Sequence, residues 1–189
     1  MEIELSDLIK QKTAINEKQL DTILPLFKSI VVKKNEYLLE HGMIPDRLFF
    51  IRKGCLRLYY ETEDRANATR FMAFENTFLT SIVGFISREP TTEYIQAVET
   101  SEVLYISYRD FHFLRNEIPE WNKLYIYILE YGLTVVNRKL SSLLTQNAAG
   151  RYRSLLQNNP DLVQRLSNAN LAAYLNISPE TLSRLKSNS

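Results

Sequence analysis

Between Pro119 and Gln146 the chain carries a run that a single long helix explains. Pro119 suits a first helical turn, and the run that follows contains no further Pro and one Gly, Gly132. At 1.5 Å per residue the predicted helix is roughly 40 Å long, too long for one small core to cover. Two apolar stripes run along it. Ile126, Leu129, Leu133, Val136, Leu140 and Leu143 recur at spacings of 3, 4, 3, 4 and 3, the a/d seam of a coiled coil. Trp121, Leu124, Ile128, Tyr131 and Val135 face elsewhere. The expectation is that one stripe covers the rest of the subunit while the seam forms a dimer interface with a twin helix. Burial of both stripes within one subunit is the alternative.

What precedes the helix has a different period. Glu4 to Phe27 places apolar residues at mostly helical spacings and reads as two short helices, broken near Thr13 to Asn16 and ended around Pro25. From Ile30 to Ser107 short β-branched and aromatic runs alternate with turn residues. These runs are Ile30-Val-Val, Tyr37-Leu-Leu, Leu48-Phe-Phe-Ile, Cys55-Leu-Arg-Leu-Tyr-Tyr, Thr69-Arg-Phe-Met-Ala-Phe, Glu93-Tyr-Ile-Gln-Ala-Val and Glu102-Val-Leu-Tyr-Ile. Many short strands at such spacing argue for a sandwich or barrel, with Gly54 and Gly42 supplying positive φ at turns.

After Gly150 the pattern is helical again: Arg151 to Gln157, Pro160 to Arg165 and Ala169 to Leu175. Asn176-Ile-Ser-Pro then sets a turn, with Ser178 as N-cap and Pro179 at the first position of a last helix. Leu171, Ala172, Leu175, Ile177, Leu182 and Leu185 would make a small core, leaving Ser178, Glu180, Thr181, Arg184 and Lys186 outside it. A helix, a tight turn and a second capped helix is the sequence form of a helix-turn-helix. Arg184 could donate two bonds to guanine, Glu180 accept from a cytosine amine, Thr181 touch a phosphate or thymine methyl, and Lys186 neutralise phosphate. A helical hairpin with a merely solvated polar face is the competing reading. Charge leans toward the first: residues 1–147 carry 18 Lys+Arg against 20 Asp+Glu, residues 148–189 carry 5 against 2.

Composition excludes several classes. One cysteine, Cys55, cannot close an internal disulfide, build a thiolate zinc site or hold an iron–sulfur cluster, and placed in a strand it reads as a small buried hydrophobe. His41 and His112 lie far apart in sequence, so no metal site is expected, and nothing marks either for haem. No Gly-rich phosphate loop or nucleophile–base arrangement can be pointed to, so the chain is not read as an enzyme. No apolar run approaches the ~18–20 residues of a membrane span, and the acidic start from Met1 is unlike a signal peptide, so a cytoplasmic protein is expected.

Three segments carry a family resemblance. Ile30 to Gly54, with Glu36-Tyr-Leu-Leu-Glu-His-Gly and Leu48-Phe-Phe-Ile-Arg-Lys-Gly, resembles the opening strands of a cyclic-nucleotide-binding β-roll. Ser101-Glu-Val-Leu-Tyr-Ile-Ser-Tyr-Arg-Asp-Phe is similar to that roll's last strand and following helix. Leu171-Ala-Ala-Tyr-Leu-Asn-Ile-Ser-Pro-Glu-Thr-Leu-Ser-Arg-Leu is similar to the helix-turn-helix of the Crp-Fnr (catabolite activator) family of bacterial transcription regulators.

The resemblance implies an α+β chain. An N-terminal β-roll of jelly-roll (double-stranded β-helix) type with its leading helices would span 1–117, a long dimerisation helix 118–147, and a helix-turn-helix domain 148–189. It implies a homodimer, double-stranded DNA as partner, a small-molecule effector and RNA polymerase as further partners, and Ser178, Glu180 and Arg184 as DNA contacts. Pro179 stands where such activators often have Arg, so one contact would be missing. The four residues after Leu185 would leave no room for a β-wing.

The positions that hold ribose and cyclic phosphate in cyclic-AMP-binding members read here as Thr80-Ser81 and Thr91-Thr92. Without the family's Arg, cyclic AMP is disfavoured and no cofactor is expected; Arg88, on the intervening segment, could swing in as a phosphate clamp but reads first as an exposed loop arginine. The alternative function is a ligand- or protein-binding sensory module that does not read DNA.

Overall fold

The structure is a computed structural model that describes residues 4–63 and 67–187. Met1 to Ile3 and residues 188–189, on which the readings of the acidic start and the absent wing partly rest, lie outside the described residues.

Two helices open the chain, α1 (Leu5–Lys12) and α2 (Glu17–Ile23). The break between them is chemical. Thr13 turns extended, and its hydroxyl donates to the Ile9 carbonyl at 2.7 Å. Asn16 then forms a capping box with Gln19: the Asn16 side chain accepts from the Gln19 N–H at 3.0 Å, and the Gln19 side chain from the Asn16 N–H at 2.9 Å. A 3-10 turn over Leu24–Leu26, with Pro25 inside it, closes the segment.

Eight strands follow, all paired antiparallel: β1 (Lys28–Val32), β2 (Tyr37–Leu39), β3 (Arg47–Lys53), β4 (Leu56–Glu61), β5 (Asn67–Ala73), β6 (Phe78–Leu79), β7 (Glu93–Ala97) and β8 (Ser101–Ser107). They make two four-stranded sheets, ordered β1-β8-β3-β6 and β2-β7-β4-β5, the two-sheet roll expected from the strand spacing. Each strand run read in the sequence is a strand, except that Cys55 sits one residue before β4, Phe74 one residue after β5 and Val98 one residue after β7. The two-residue β6 and the helix α3 (Ile82–Ser87) are too short to carry a period.

The uninterrupted apolar run of β3 has a two-sided explanation. Side chains alternate along a strand, so Phe49 and Ile51 enter the space between the sheets with Leu58, Phe71, Ile95 and Val103. Leu48 and Phe50 face outward, where α1, α2, α4 (Tyr108–Glu117) and the start of α5 (Trp121–Thr145) cover them with Ile9, Ile23, Phe111, Trp121 and Leu124. Gly54 ends β3 with φ +102°, and a Cβ there would stand 2.3 Å from the Ser101 hydroxyl, so no other residue fits.

The two stripes of α5 separate as anticipated. Ile128 packs on the helical layer, Val135 on the roll interior, and Tyr131 meets Phe71 edge-on at 6.1 Å. The seam faces solvent: Ile126, Leu133 and Leu140 are 52%, 65% and 51% exposed, Leu143 is exposed too, and Leu129 and Val136 are half-buried. The reading in which one subunit buries both stripes does not hold for the described chain.

The chain ends in α6 (Ala148–Asn158), α7 (Pro160–Arg165), α8 (Asn168–Leu175) and α9 (Pro179–Ser187). These helices do not stand apart from the roll. Tyr152, Leu155, Leu162, Leu166 and Leu175 share one buried cluster with Cys55, Met72 and Val98 of the roll. Arg165 closes its edge. Its guanidinium donates twice to Glu75, at 2.8 and 2.9 Å, and once to Glu99 at 2.5 Å, while lying 4.9 Å from the centre of the Phe74 ring. Glu75 also accepts from the Gly54 N–H at 2.8 Å. Burial raises the Glu75 carboxyl, but the bonds from Arg165 and the backbone outweigh it and hold the group below its ordinary value.

Cys55, buried under this contact with its thiol pushed up to about 12 mainly by burial, reports on it. An Arg165→Met exchange that removes about 1 kcal/mol of a bidentate, partly exposed pair should speed labelling of Cys55 by a neutral-pH thiol reagent about fivefold. An unchanged labelling rate would show that the ion pairs do not hold the helices down.

Candidate functional site

Two regions hold the residues singled out in the sequence. The first is the outer face of α9. Ser178 caps it, accepting from the Thr181 N–H at 3.2 Å, and Asn176 takes the left-handed conformation that ends α8 (φ +53°). Arg151, which no sequence signal marked, staples this turn. Its guanidinium donates to the carbonyls of Leu175 at 3.0 Å and Gln146 at 2.9 Å, tying the turn to the end of α5. Leu171, Ala172, Leu175 and Leu182 are buried, with Ile177 and Leu185 packed against them, which is the small core expected.

Ser178, Glu180, Arg184 and Lys186 are exposed and Thr181 is half-exposed. Arg184 donates to the Thr181 hydroxyl at 3.3 Å and Lys186 to Asn168 at 2.6 Å. Among the described residues Arg184 has no carboxylate within 4 Å, so its fork is open to an outside acceptor. The Glu180 carboxyl is held below its ordinary value by backbone hydrogen bonding at the helix start, then by Ser178 and Arg184.

The second region is the segment from β6 to β7. Of the five residues expected together, the structure joins two. Ser81 and Thr91 share a 2.8 Å hydrogen bond between their hydroxyls, both buried. Thr80 turns the other way and donates to the Arg47 carbonyl at 2.9 Å, and Thr92 is exposed. Arg88 points away from the pair: it lies 3.9 Å from the centre of the Tyr108 ring and donates to the Pro45 carbonyl.

The partners that sequence reading missed are Glu93 and Arg70. Glu93 is 3% exposed, accepts from Ser81 at 2.5 Å, and lies 2.7 Å from Arg70 Nε in an ion pair misaligned for a linear hydrogen bond. Arg70 reaches it because β5 carries a bulge there. Leu58 pairs with Phe71 and Tyr59 with Thr69, leaving Arg70 the extra residue whose side chain is re-aimed.

Comparison with known proteins bears on both regions. Residues 29–117 match the family described as the cyclic nucleotide-binding domain. No curated protein matches the chain in sequence. Among solved structures it is similar to the c-di-GMP responsive global regulator CLP of Xanthomonas campestris, with TM-score 0.74, 19% identity, and 92% of this chain and 91% of that one covered. It is similar to FixK2 of Bradyrhizobium japonicum, with TM-score 0.76, 14% identity and coverage of 86% and 83%. A protein of Eubacterium rectale assigned to the crp/fnr family of transcriptional regulators gives 0.75, 15%, 91% and 82%. The chain has the fold of these regulators, and its residues 29–117 are similar to the cyclic nucleotide-binding domain.

Within the Crp-Fnr fold the residues do not fit a cyclic nucleotide. Where the resemblance puts ribose and phosphate holders, the chain buries a carboxylate of its own, and its charge is already matched by Arg70. A phosphate brought there would face Glu93 with its one ion-pair partner among the described residues, Arg70, already engaged, which costs several kcal/mol for an unpaired buried charge.

A third feature lies beside this region. Lys139, on α5, is half-buried between β5 and α8; its ammonium donates to the Thr69 carbonyl and lies 4.7 Å from the centre of the Tyr174 ring. Burial, then Arg151 and Arg70, lower it to about 8. An unfolded lysine titrates near 10.4, so between about 8 and 10.4 the unfolded chain binds more protons, and this position's contribution to stability rises with pH. In urea unfolding, wild type should gain on Lys139→Met by at most about 2 kcal/mol between pH 7 and 9.5. A difference between the two proteins that does not change with pH would refute the burial of a charged amine here.

Proposed function

We propose that the chain is a homodimeric, sequence-specific DNA-binding regulator of transcription that works in the cytoplasm. The observation that carries this reading is α9. A capped helix, fixed by Leu182 and by the Arg151 staple, turns Glu180, Lys186 and an Arg184 with no carboxylate partner among the described residues outward on the Crp-Fnr fold. In this reading Ser178, Glu180, Thr181, Arg184 and Lys186 form the DNA interface of a helix-turn-helix domain over 148–189. Residues 1–117 form the sensor roll and 118–147 the dimer helix. The likeness to CLP, FixK2 and the Eubacterium rectale protein supports it, as does the open seam of α5.

Two such helices related by a two-fold axis would enter successive major grooves about 34 Å apart, so the operator should be palindromic with half-sites one helical turn apart. An effector and RNA polymerase are the further partners of this reading. The roll would act on DNA through α5, by a shift that alters the spacing of the two α9 helices.

Selection of sites from a random duplex library at near-physiological salt tests the proposal. A palindrome is expected from wild type. Arg184→Ala should lose preference at one base pair per half-site by about 1–3 kcal/mol, roughly 5- to 150-fold. Equal selectivity of mutant and wild type would favour a sensory module that does not read DNA.

The dimer is tested separately. Leu133 is 65% exposed, so Leu133→Asp leaves the subunit's core intact and places two carboxylates in the proposed seam. Sedimentation should then find a monomer at micromolar concentration where wild type is a dimer, with much weaker operator binding. A monomeric wild type would exclude the dimer.

A further inference from the structure

We propose that Glu93 is the roll's built-in ligand: its carboxylate, held by Arg70 and Ser81, closes the segment between β6 and β7 onto the sheet, so that no small molecule is needed to close it. The place is the one the resemblance gives to a cyclic nucleotide, and this chain fills it with an ion pair of its own.

Three observations carry this. The first is reach. In the sheet ordered β2-β7-β4-β5 the strands that bear Glu93 and Arg70 are separated by β4, yet Oε1 of Glu93 lies 2.7 Å from Nε of Arg70. The pair spans a whole strand, and the bulge at Arg70 is what aims the guanidinium across it. The second is the number of groups gathered on one anion. Oε2 accepts from the Ser81 hydroxyl at 2.5 Å, Ser81 shares its 2.8 Å bond with Thr91, and the Thr91 hydroxyl accepts from the Glu93 N–H at 3.0 Å. Ser81 and Thr91 stand on either side of α3, so a single carboxylate ties both ends of that segment together. The third is burial. Glu93 is 3% exposed, and a charge so placed persists because Arg70 matches it. A strand cation, a hydroxyl at the mouth of a short helix and exclusion of water are what a protein offers the acid group of a ligand, and here the chain supplies the acid as well.

The same pair reaches toward the DNA-facing helices. Arg70 is on β5, the strand against which α8 rests, so closing the segment also fixes that strand. With the DNA reading proposed above, on which this consequence alone rests, the roll holds one setting without an effector inside it, and an effector of the regulator would act from another surface.

Replacing the carboxylate by a free acid tests the proposal. Glu93→Ala removes a group the size of acetate. In thermal unfolding of the full chain it should melt about 10 °C below wild type. Sodium acetate or formate should then raise its melting point by about 5 °C more than that of wild type at equal ionic strength. Glu93→Ala combined with Arg70→Met, which takes away the cation too, should show no such excess. Glu93→Gln, close in shape and uncharged, decides the matter should Glu93→Ala fail to fold: amide hydrogen exchange over residues 78–93 should rise about tenfold while that of α1 and α4 stays as in wild type. Cyclic AMP and cyclic GMP should leave the melting of wild type unchanged. An equal effect of acetate and formate on Glu93→Ala and wild type, unchanged exchange over 78–93 in Glu93→Gln, or stabilisation of wild type by either cyclic nucleotide would overturn it. These measurements read the roll alone, so failure to select a DNA site leaves their outcome standing, and the duplex selection stands whatever they give.

Discussion

Trp121 and Leu124 fix the first turn of α5 under α1 and α4, and the placement of every later element depends on how the remaining turns are used. The helix leaves the helical layer at Ile128, runs along the roll through Tyr131 and Val135, and reaches the C-terminal helices at Lys139. A rod anchored at one end and touching three layers in succession transmits displacement along its length better than it bends, because its backbone bonds are internal. Its other face then has no work inside the subunit. Burying Leu133, Leu140 and their seam neighbours against a second copy would contribute about 1.5–3 kcal/mol for each side chain fully covered, which gives an exposed seam a strong reason to find a partner.

Cations decide how the parts meet. Arg151 satisfies carbonyls at the ends of α5 and α8, which would otherwise be orphans of their helices. Arg165 bridges the last helices to Glu75 and Glu99. Arg70 is consumed inside the roll by Glu93. Of the cations where the roll, α5 and the last helices meet, Lys139 is satisfied by a carbonyl and an aromatic face rather than by a carboxylate. The roll thus supplies its own anion at the position the resemblance gave to a phosphate.

The sequence made the fold legible where a period repeats. Strand runs, the α5 stripes and the Asn176-Ile-Ser-Pro cap each rest on several residues that agree, and each was found where expected. The site was less legible because it depends on direction. Thr80 and Ser81 are neighbours in the chain, as are Thr91 and Thr92, yet Ser81 and Thr91 meet each other while Thr80 turns to the Arg47 carbonyl and Thr92 to solvent. A match by adjacent residues cannot distinguish them. Arg70 reaches Glu93 only through a bulge, and Arg88 is drawn off by the Tyr108 ring. Neither event leaves a mark in local composition. The hydrophobe reading of Cys55 was right in kind, but its burial comes from α6–α9 folding back onto the roll, a contact between residues about a hundred positions apart.

That fold-back links the roll to the direction in which α9 faces. Met72 is on β5, and α8 rests against the same strand. A change that moves β5 relative to α5 cannot leave α8 in place, because the buried cluster around Cys55, Met72 and Leu175 is close-packed and resists small shifts until it slips as a unit. Arg165 and the Glu75–Gly54 contact hold the far edge of the same cluster, so α8 is pinned at one end by charge and at the other by the Lys139–Tyr174 stack. The direction of Arg184 and Glu180 is therefore set by two contacts that respond to different conditions. Ionic strength weakens the first, while a rise in pH, which removes the Lys139 proton, alters the second.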